Sequence, residues 1–410
     1  MRARRGWVIS FTAVVFAMMT MQMSSLGFSP LLPAMKEEFR ISYTQLGLFT
    51  GIYGLVSIVL SIPAGLLARK YGEKTVLSSG LLVIAAGLLV LSRAPDFAAA
   101  MTGRVIWLVG YRFSFVCVMI AIALTAPPRL KGSTMGILGS LAALASVIGA
   151  PFGSKIGEAF GWRGGILAYA GMAVLGFIVF LIFYRAGDSA AASAPPHGHG
   201  ANLFDQSANG RPAHREPIVW VLAATLGLLN MGGFTITFFV PAVAKTVFKL
   251  GPTDAAYMIS TAYITAALAN LLCGYLSDKL NRWTIMIGIA ALLIPASLGM
   301  LSTNLVIFRV STALLVALGL SATNQGYAIA GVVLRGRETG PAMGIVSLGA
   351  GVYAYIGPQM LGVLRDWTGG FSAGFYAIAV FGAIGVIPML WLKRYSDRKA
   401  GIAQVQYSTA

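Results

Sequence analysis

Residues 65–72 read Gly-Leu-Leu-Ala-Arg-Lys-Tyr-Gly, and residues 274–281 read Gly-Tyr-Leu-Ser-Asp-Lys-Leu-Asn. Each octet follows an apolar stretch of about 20 residues or more, the length that crosses a bilayer, and leads into another. The repeat continues on either side of the octets. Met135-Gly136-Ile137 falls on Met343-Gly344-Ile345, Ile148-Gly149 falls on Ile356-Gly357, and Arg104 falls near Arg309. Weak internal symmetry between two membrane halves marks a transporter, because duplicated bundles can rock about a site held near the midplane.

Composition agrees with that class. Of the 410 residues 57% are hydrophobic and 10% charged, which predicts an all-α membrane protein that crosses the bilayer many times. The apolar stretches place spans at 7–34, 43–68, 75–94, 97–126, 132–159, 163–184, 217–244, 254–277, 283–302, 304–333, 340–364 and 372–392. Several exceed the minimum crossing length and so require tilt or extension past the hydrocarbon. The first stretch is too long for a cleaved signal peptide and reads as a retained helix. Residues 1–185 form a six-span bundle and 217–393 a second, with 394–410 as a cytosolic tail. Between the bundles, 186–216 is rich in Ala, Ser, Pro, Gly and Asn and reads as a flexible cytosolic linker. His197 and His199 lie there, but two imidazoles without a Cys or a closing carboxylate make a poor metal site. Cys117 and Cys273 both sit inside apolar spans, outside any secreted-type disulfide framework.

The net charge of +17 is decided by its placement. With the N-terminus cytosolic, Arg2, Arg4, Arg5, Arg69, Lys70, Lys74, Arg129, Lys131, Arg185, Arg211, Arg215, Lys279, Arg282, Arg335, Arg337, Lys393, Arg394, Arg398 and Lys399 all face the cytosol. These are nineteen of the 30 basic residues, and the bias predicts that both termini are cytosolic in a plasma (cell inner) membrane. The basicity therefore reports topology, and a nucleic-acid partner is not expected.

The loop after span 2, repeated after span 8, resembles the Gly-x-x-x-Asp-Arg/Lys-x-Gly-x-Arg/Lys signature of the major facilitator superfamily, and the resemblance covers the whole chain. The second copy keeps Gly274, Asp278, Lys279 and Arg282. The first keeps Gly65, Lys70 and Gly72 but carries Arg69 in place of the usual Asp. The resemblance implies two pseudo-symmetric six-helix bundles, inverted repeats within each, a cavity lined by spans 1, 4, 7 and 10, gating by these loops, and alternating access without covalent chemistry or a cofactor. Both loops also have a plainer reading as topogenic positive charge.

Spans 5 and 11 carry Gly136, Gly139, Gly149, Gly153 and Gly157, and Gly344, Gly349, Gly351, Gly357 and Gly362. Steps of three and four put several on shared faces, where neighbouring backbones approach closely. Pro151, two residues after Gly149, and Pro358, beside Gly357, each remove a backbone donor and so bend their helices. Gly149-Ala-Pro151 also resembles the Gly-Pro motif of drug/proton antiporters, although its Gly and Pro are not adjacent and the trailing glycine pair is absent.

Not one of the thirteen acidic residues falls in the interior of a span, yet Arg112 lies sixteen residues after Asp96 and fifteen before Pro127. At 1.5 Å per residue it is roughly 23 Å from either end. An Arg at that depth costs at least about 2.5–3.5 kcal/mol to insert, so it should face a wet cavity or a partner. Its planar fork suits a carboxylate; it could equally tie spans 4 and 5 together through backbone carbonyls. Gln22 on span 1 and Asn230 on span 7 reach the same level, with Asn324 and Gln325 on span 10 somewhat toward the cytosol. Tyr53, Tyr263 and Tyr355, with Tyr327 and Tyr353, could add hydroxyls and apolar walls, and Met18, Met19, Met21 and Met23 an adaptable surface. Arg104 and Arg309 would draw anions into an outer funnel or reach lipid headgroups.

A central carboxylate relay is missing. The nearest candidates are Glu158, spaced i, i+3 from Lys155, and Asp366, both at span ends. The expected function is therefore uniport, exchange or proton symport of a small organic anion by a monomer that needs no partner but the bilayer. Drug or amphiphile efflux is the competing transport activity, and a sensor that no longer cycles is the reading from another class. Pro30-Leu-Leu-Pro33 and Ile62-Pro63-Ala64-Gly65 resemble nitrate and cyanate carriers, but Ser61 stands where those carriers would place an anion-binding Arg.

Overall fold

The computed structural model describes residues 2–125, 131–184, 215–279, 282–333 and 339–408. Among these the regular elements are helical, as a bilayer requires of a chain that satisfies its backbone within each segment. In order they are α1 (Arg2–Gly27), a 3-10 turn (Ser29–Leu31), α2 (Leu32–Phe39), α3 (Tyr43–Tyr71), α4 (Glu73–Ser92), α5 (Phe97–Thr125), α6 (Lys131–Phe183), α7 (Pro217–Phe248), α8 (Pro252–Lys279), α9 (Arg282–Gly299), α10 (Leu305–Val333), α11 (Thr339–Thr368) and α12 (Ser372–Ser408). Nine of the described helices are long and apolar enough to cross a membrane. α6 provides two of the crossings, because its helical geometry fails at Phe160 and at Gly161, where φ is +73°. Only glycine adopts that φ without strain, and it turns span 5 into span 6. With the second half of α6, the shorter α9, and α11, twelve crossings result.

Polar side chains secure the helix starts. Ser42 accepts from Gln45 N at 3.1 Å while Gln45 Oε1 accepts from Ser42 N at 2.9 Å, a reciprocal cap on α3. Asp96 accepts from Ala99 N at 2.8 Å, and Asn304 Oδ1 accepts from Val306 N at 2.9 Å. Gly72 joins α3 to α4 at φ +83°. Outward faces keep large apolar side chains such as Val59, Leu268, Leu271 and Ile387 more than half exposed, as suits contact with lipid.

Two compact units emerge. The first comprises Met1–Gly200 with Thr237–Ile264, and the second Ala201–Ile236 with Thr265–Ala410. α7 passes from the second to the first after Ile236, and α8 returns after Ile264. Residues 186–214 of the linker, including His197 and His199, lie outside those described.

In the first unit the tightest seam runs between α4 and α5. A Cβ on Gly87 would fall 2.3 Å from Trp107 N, one on Gly103 2.6 Å from Leu91 N, and one on Gly110 2.6 Å from Gly80 O and from Ile84 N. Gly80 and Gly87 on one helix thus meet Gly110 and Gly103 on the other, an antiparallel pair with equal seven-residue spacing. α1 packs as closely on α6, where a Cβ on Gly149 would lie 2.7 Å from Met23 O. Tyr169 closes that corner by donating to Gly149 O at 2.6 Å. In the second unit a Cβ on Gly357 would meet Thr235 Oγ1 at 2.2 Å, and one on Gly233 would meet Leu315 O at 2.8 Å, so α7 lies against both α11 and α10.

Candidate anion-binding site

Within the first unit, Arg112 on α5 sits between two aromatic rings. Its guanidinium carbon is 5.9 Å from the Tyr53 ring and 6.0 Å from the Phe115 ring. The residue is partly exposed, while its Nε is buried and meets no hydrogen-bond acceptor. Arg163 pairs with Glu38 and Lys245 with Glu37, and no carboxylate among the described residues pairs with Arg112. A delocalised cation near aromatic rings with an N–H to spare has the chemistry to hold a planar anion.

Gln22 reaches this group through a residue that sequence reasoning passed over. Tyr111 donates its hydroxyl to Gln22 Oε1, and its ring lies 6.0 Å from Tyr53 and stacks on Phe115 at 6.2 Å. Only its position next to Arg112 in the chain could have pointed to it. Tyr263 is buried in the part of α8 that belongs to this unit, with its hydroxyl 3.5 Å from Thr237 Oγ1.

In the second unit Asn230 lies at the α7–α10 seam, where a Cβ on Gly319 would come 3.5 Å from its Oδ1. Asn324 is exposed and donates to Asn270 Oδ1 on α8 at 3.2 Å; Asn270 is a second amide that spacing alone did not single out. Gln325 is buried, and its Oε1 meets no donor. Tyr355 is partly exposed on α11.

Arg104 departs from both expectations. Neither an outer funnel nor a headgroup contact is available to it, because the residue is 1% exposed. Its guanidinium carbon lies 4.2 Å from the Trp107 ring, 4.3 Å from Phe28 and 5.5 Å from Phe49. Counting residues fixed its depth but not its direction, which i, i+3 alignment with Trp107 decides. Arg309, by contrast, is exposed near the start of α10.

The span ends away from the chain termini are tied together inside the first unit. Lys245 on α7 lies 2.6 Å from the Glu37 carboxylate, and Phe238 packs 5.7 Å from Phe28. Glu158 does not pair with Lys155 as their spacing predicts; it accepts from Thr253 N at 3.0 Å in the first turn of α8. A carboxylate there meets free backbone N–H groups and the positive end of the helix dipole, which outweighs a solvated i, i+3 pair. Glu38 also bonds Trp162 Nε1 at 2.5 Å and Arg163, whose Nη2 donates to Ala94 O at 2.7 Å.

Pro151 has a partner of its own. Lacking an N–H, it leaves the carbonyl four residues back, that of Val147, without its helical donor. Ser260 on α8 fills the place, donating to Val147 O at 2.7 Å. Ser260→Ala is expected to leave folding nearly intact, at a cost of about 1 kcal/mol. It should also make a cysteine placed at Thr253 react faster with a soluble thiol reagent; an unchanged rate would mean that this bond does not hold α8 against α6.

Arg69 and Lys70 are exposed in the last turn of α3, with Lys70 Nζ 5.0 Å from the Tyr71 ring. A side chain at Gly65 would meet nothing within 4 Å. In the second copy the side chains of Asp278, Lys279 and Arg282 lie outside the described residues, as does Gly274 beyond its helical backbone. Ser61 donates to Ser57 O and puts no positive charge at its level of α3.

Comparison with known proteins adds what geometry alone does not. A "Putative tartrate transporter" of Agrobacterium vitis is 23% identical over 98% of this chain and 96% of its own length. A "Probable nitrate transporter NarT" of Staphylococcus epidermidis is 22% identical over 89% of this chain and 91% of its own. Among solved structures, a bacterial homologue of the human lysosomal transporter Spinster, inward-facing and occupied, superposes with a TM-score of 0.78 at 16% identity, covering 95% of this chain and 97% of that one. The family model described as the Major Facilitator Superfamily matches residues 11–262 and 224–406. Repeated halves, twelve crossings and this match together make the chain a multi-pass membrane transporter of the major facilitator superfamily, not an enzyme.

Proposed function

We propose that the protein moves a small organic anion, a carboxylate, by alternating access between two bundles of residues 1–185 and 217–393, as a monomer in a cell inner membrane with both termini cytosolic. The observation that carries the reading is Arg112: a mid-span guanidinium near two aromatic rings, with a buried Nε that meets no acceptor and no carboxylate partner among the described residues. A charge held at that depth is stabilised when an anion arrives and is unfavourable otherwise, so cargo and cation favour each other. The relative named for tartrate supports a carboxylate. The relative named for nitrate supports an anion more broadly, while Ser61 argues against nitrate itself.

Coupling follows from the acidic residues. Glu37, Glu38 and Glu158 are engaged at span ends, and none of the thirteen lies in a span interior. Proton movement, if coupled, would be carried by the substrate's own carboxyl group. The Asp278 loop gates the cytosolic end.

Counterflow tests the reading. Proteoliposomes loaded with unlabelled tartrate are expected to accumulate labelled tartrate transiently above its equilibrium level, and loading with a cationic dye should not produce this. Absence of counterflow with every small carboxylate tried, alongside exchange of the dye, would establish efflux of amphiphiles instead. Binding without any counterflow would establish a sensor.

A further inference from the structure

Arg104 is used by nothing above. It is permanently charged, since a guanidinium is not deprotonated in a protein, and it is 1% exposed. Three aromatic rings surround it, those of Phe28, Phe49 and Trp107, with Phe28 and Trp107 also in edge contact at 5.2 Å. Its Nε donates to Phe49 O at 3.3 Å. Three further polar groups of the same neighbourhood are buried and lack any partner: Arg104 Nη1, Trp107 Nε1, and the hydroxyl of Ser29, which follows Phe28 in the chain. Trp107 and Ser29 are both fully buried.

Buried donors are almost always satisfied. Here two N–H groups on adjacent side chains, a hydroxyl one residue from a caging ring, and an uncompensated positive charge are orphaned together. Arg104 Nη1 and Trp107 Nε1 can only donate, and no carboxylate among the described residues pairs with the charge. A small anion would accept from both N–H groups and neutralise the charge at once, whereas water would satisfy the donors alone. We propose that the rings about Arg104 in the first unit enclose a chamber that binds a single small anion, held by Arg104 Nη1 and Trp107 Nε1 with the Ser29 hydroxyl as an additional donor. Phe238 of α7 packs on the Phe28 ring that forms one wall, so the chamber is roofed by the same contacts that tie the span ends together.

The same chemistry fits a free inorganic anion or the carboxylate of a transported molecule, and the test separates them. The full-length protein, purified in detergent, is melted at constant ionic strength in morpholinoethanesulfonate, an anion too bulky for the chamber, with chloride, bromide or acetate substituted stepwise. Chloride and bromide are expected to raise the melting temperature saturably. Trp107→Phe, which keeps the ring and loses the N–H, should weaken the apparent affinity at least tenfold. Arg104→Gln should abolish the shift, and Arg112→Gln should retain it, so this inference and the reading of Arg112 fail independently. A saturable shift with acetate but not the halides, again weakened in Trp107→Phe, would support the chamber and assign it to carboxylates. If Arg104→Gln does not fold, Trp107→Phe carries the test. No shift with any of the three anions, or one undiminished in Trp107→Phe, would overturn the proposal and leave water as the occupant.

Discussion

Replacing Arg112 by Ala is expected to lower the initial rate of carboxylate uptake into proteoliposomes at least about 100-fold, with the protein still inserted and monodisperse. Losing one member of a buried, hydrogen-bonded charge pair costs about 2–5 kcal/mol, and each 1.4 kcal/mol is tenfold. Arg112→Lys should fall nearly as far. An ammonium keeps the charge but not the planar fork, and it lies less well between the Tyr53 and Phe115 rings. A structural role would give a different pattern: an Arg that merely ties helices would lose stability on substitution, while the transport rate per folded molecule would hold. Rates per folded molecule that match the native protein in either variant would therefore remove the site.

The second large effect is on folding. Gly87→Ala is expected to abolish recovery of folded protein or to lower its melting temperature by about 1–4 °C, as an overpacking cost of about 1–3 kcal/mol implies for a chain of this length. The added methyl would sit 2.3 Å from Trp107 N and 2.6 Å from Trp107 Cα. Both obstacles are backbone, so relief requires α5 to move away from α4 along their whole seam. Gly171→Ala is the control, since a Cβ there meets nothing within 4 Å, and it should melt like the native protein. Equal melting temperatures for the two variants would show that the glycine seam is not tightly closed.

Much of this architecture can be read from apolar run length alone, because a bilayer leaves the chain little choice but helix. The turn between spans 5 and 6 is legible in Gly161, and the depth of Arg112 follows from counting residues between Asp96 and Pro127. What counting cannot supply is azimuth. Arg104 looked like a rim residue by depth, yet its alignment with Trp107 turns it inward onto Phe28, in the turn after α1, and Phe49, on α3. The same limit applies to the glycines. Those of spans 5 and 11 attract notice by their number, whereas Gly80, Gly87, Gly103 and Gly110 gain meaning only once two helices are laid antiparallel. Pro151 announces a vacant carbonyl, but nothing local identifies Ser260, 113 residues from Val147, as its donor. Glu158 shows the reverse error, in which a local pairing with Lys155 was a poorer prospect than the distant start of α8.

The first unit thus holds two mid-helix arginines of different character, one partly exposed and one buried. Arg112 is partly open and flanked by phenol and phenyl rings with an amide nearby through Tyr111 and Gln22, a setting that admits exchange of a ligand. Arg104 is enclosed, which favours a resident ion over a passing one. The contacts beside it, from Phe238 to the Lys245–Glu37 pair and the Glu158 cap on α8, would have to loosen for that end to open in the proposed cycle. The Ser260–Val147 bond is the most easily tested of these ties, because it depends on one hydroxyl.

The central claim, that Arg112 receives an anionic cargo, is tested most directly by ligand-dependent melting of the purified protein and its Arg112→Lys variant against tartrate and other small carboxylates, nitrate and cationic dyes. A ligand present at 100 times its dissociation constant stabilises by about 2.7 kcal/mol, a readily measured shift. The account predicts a saturable shift with at least one carboxylate in the native protein and none in the variant. Stabilisation by cationic dyes alone, or by the carboxylate equally in both proteins, would contradict it.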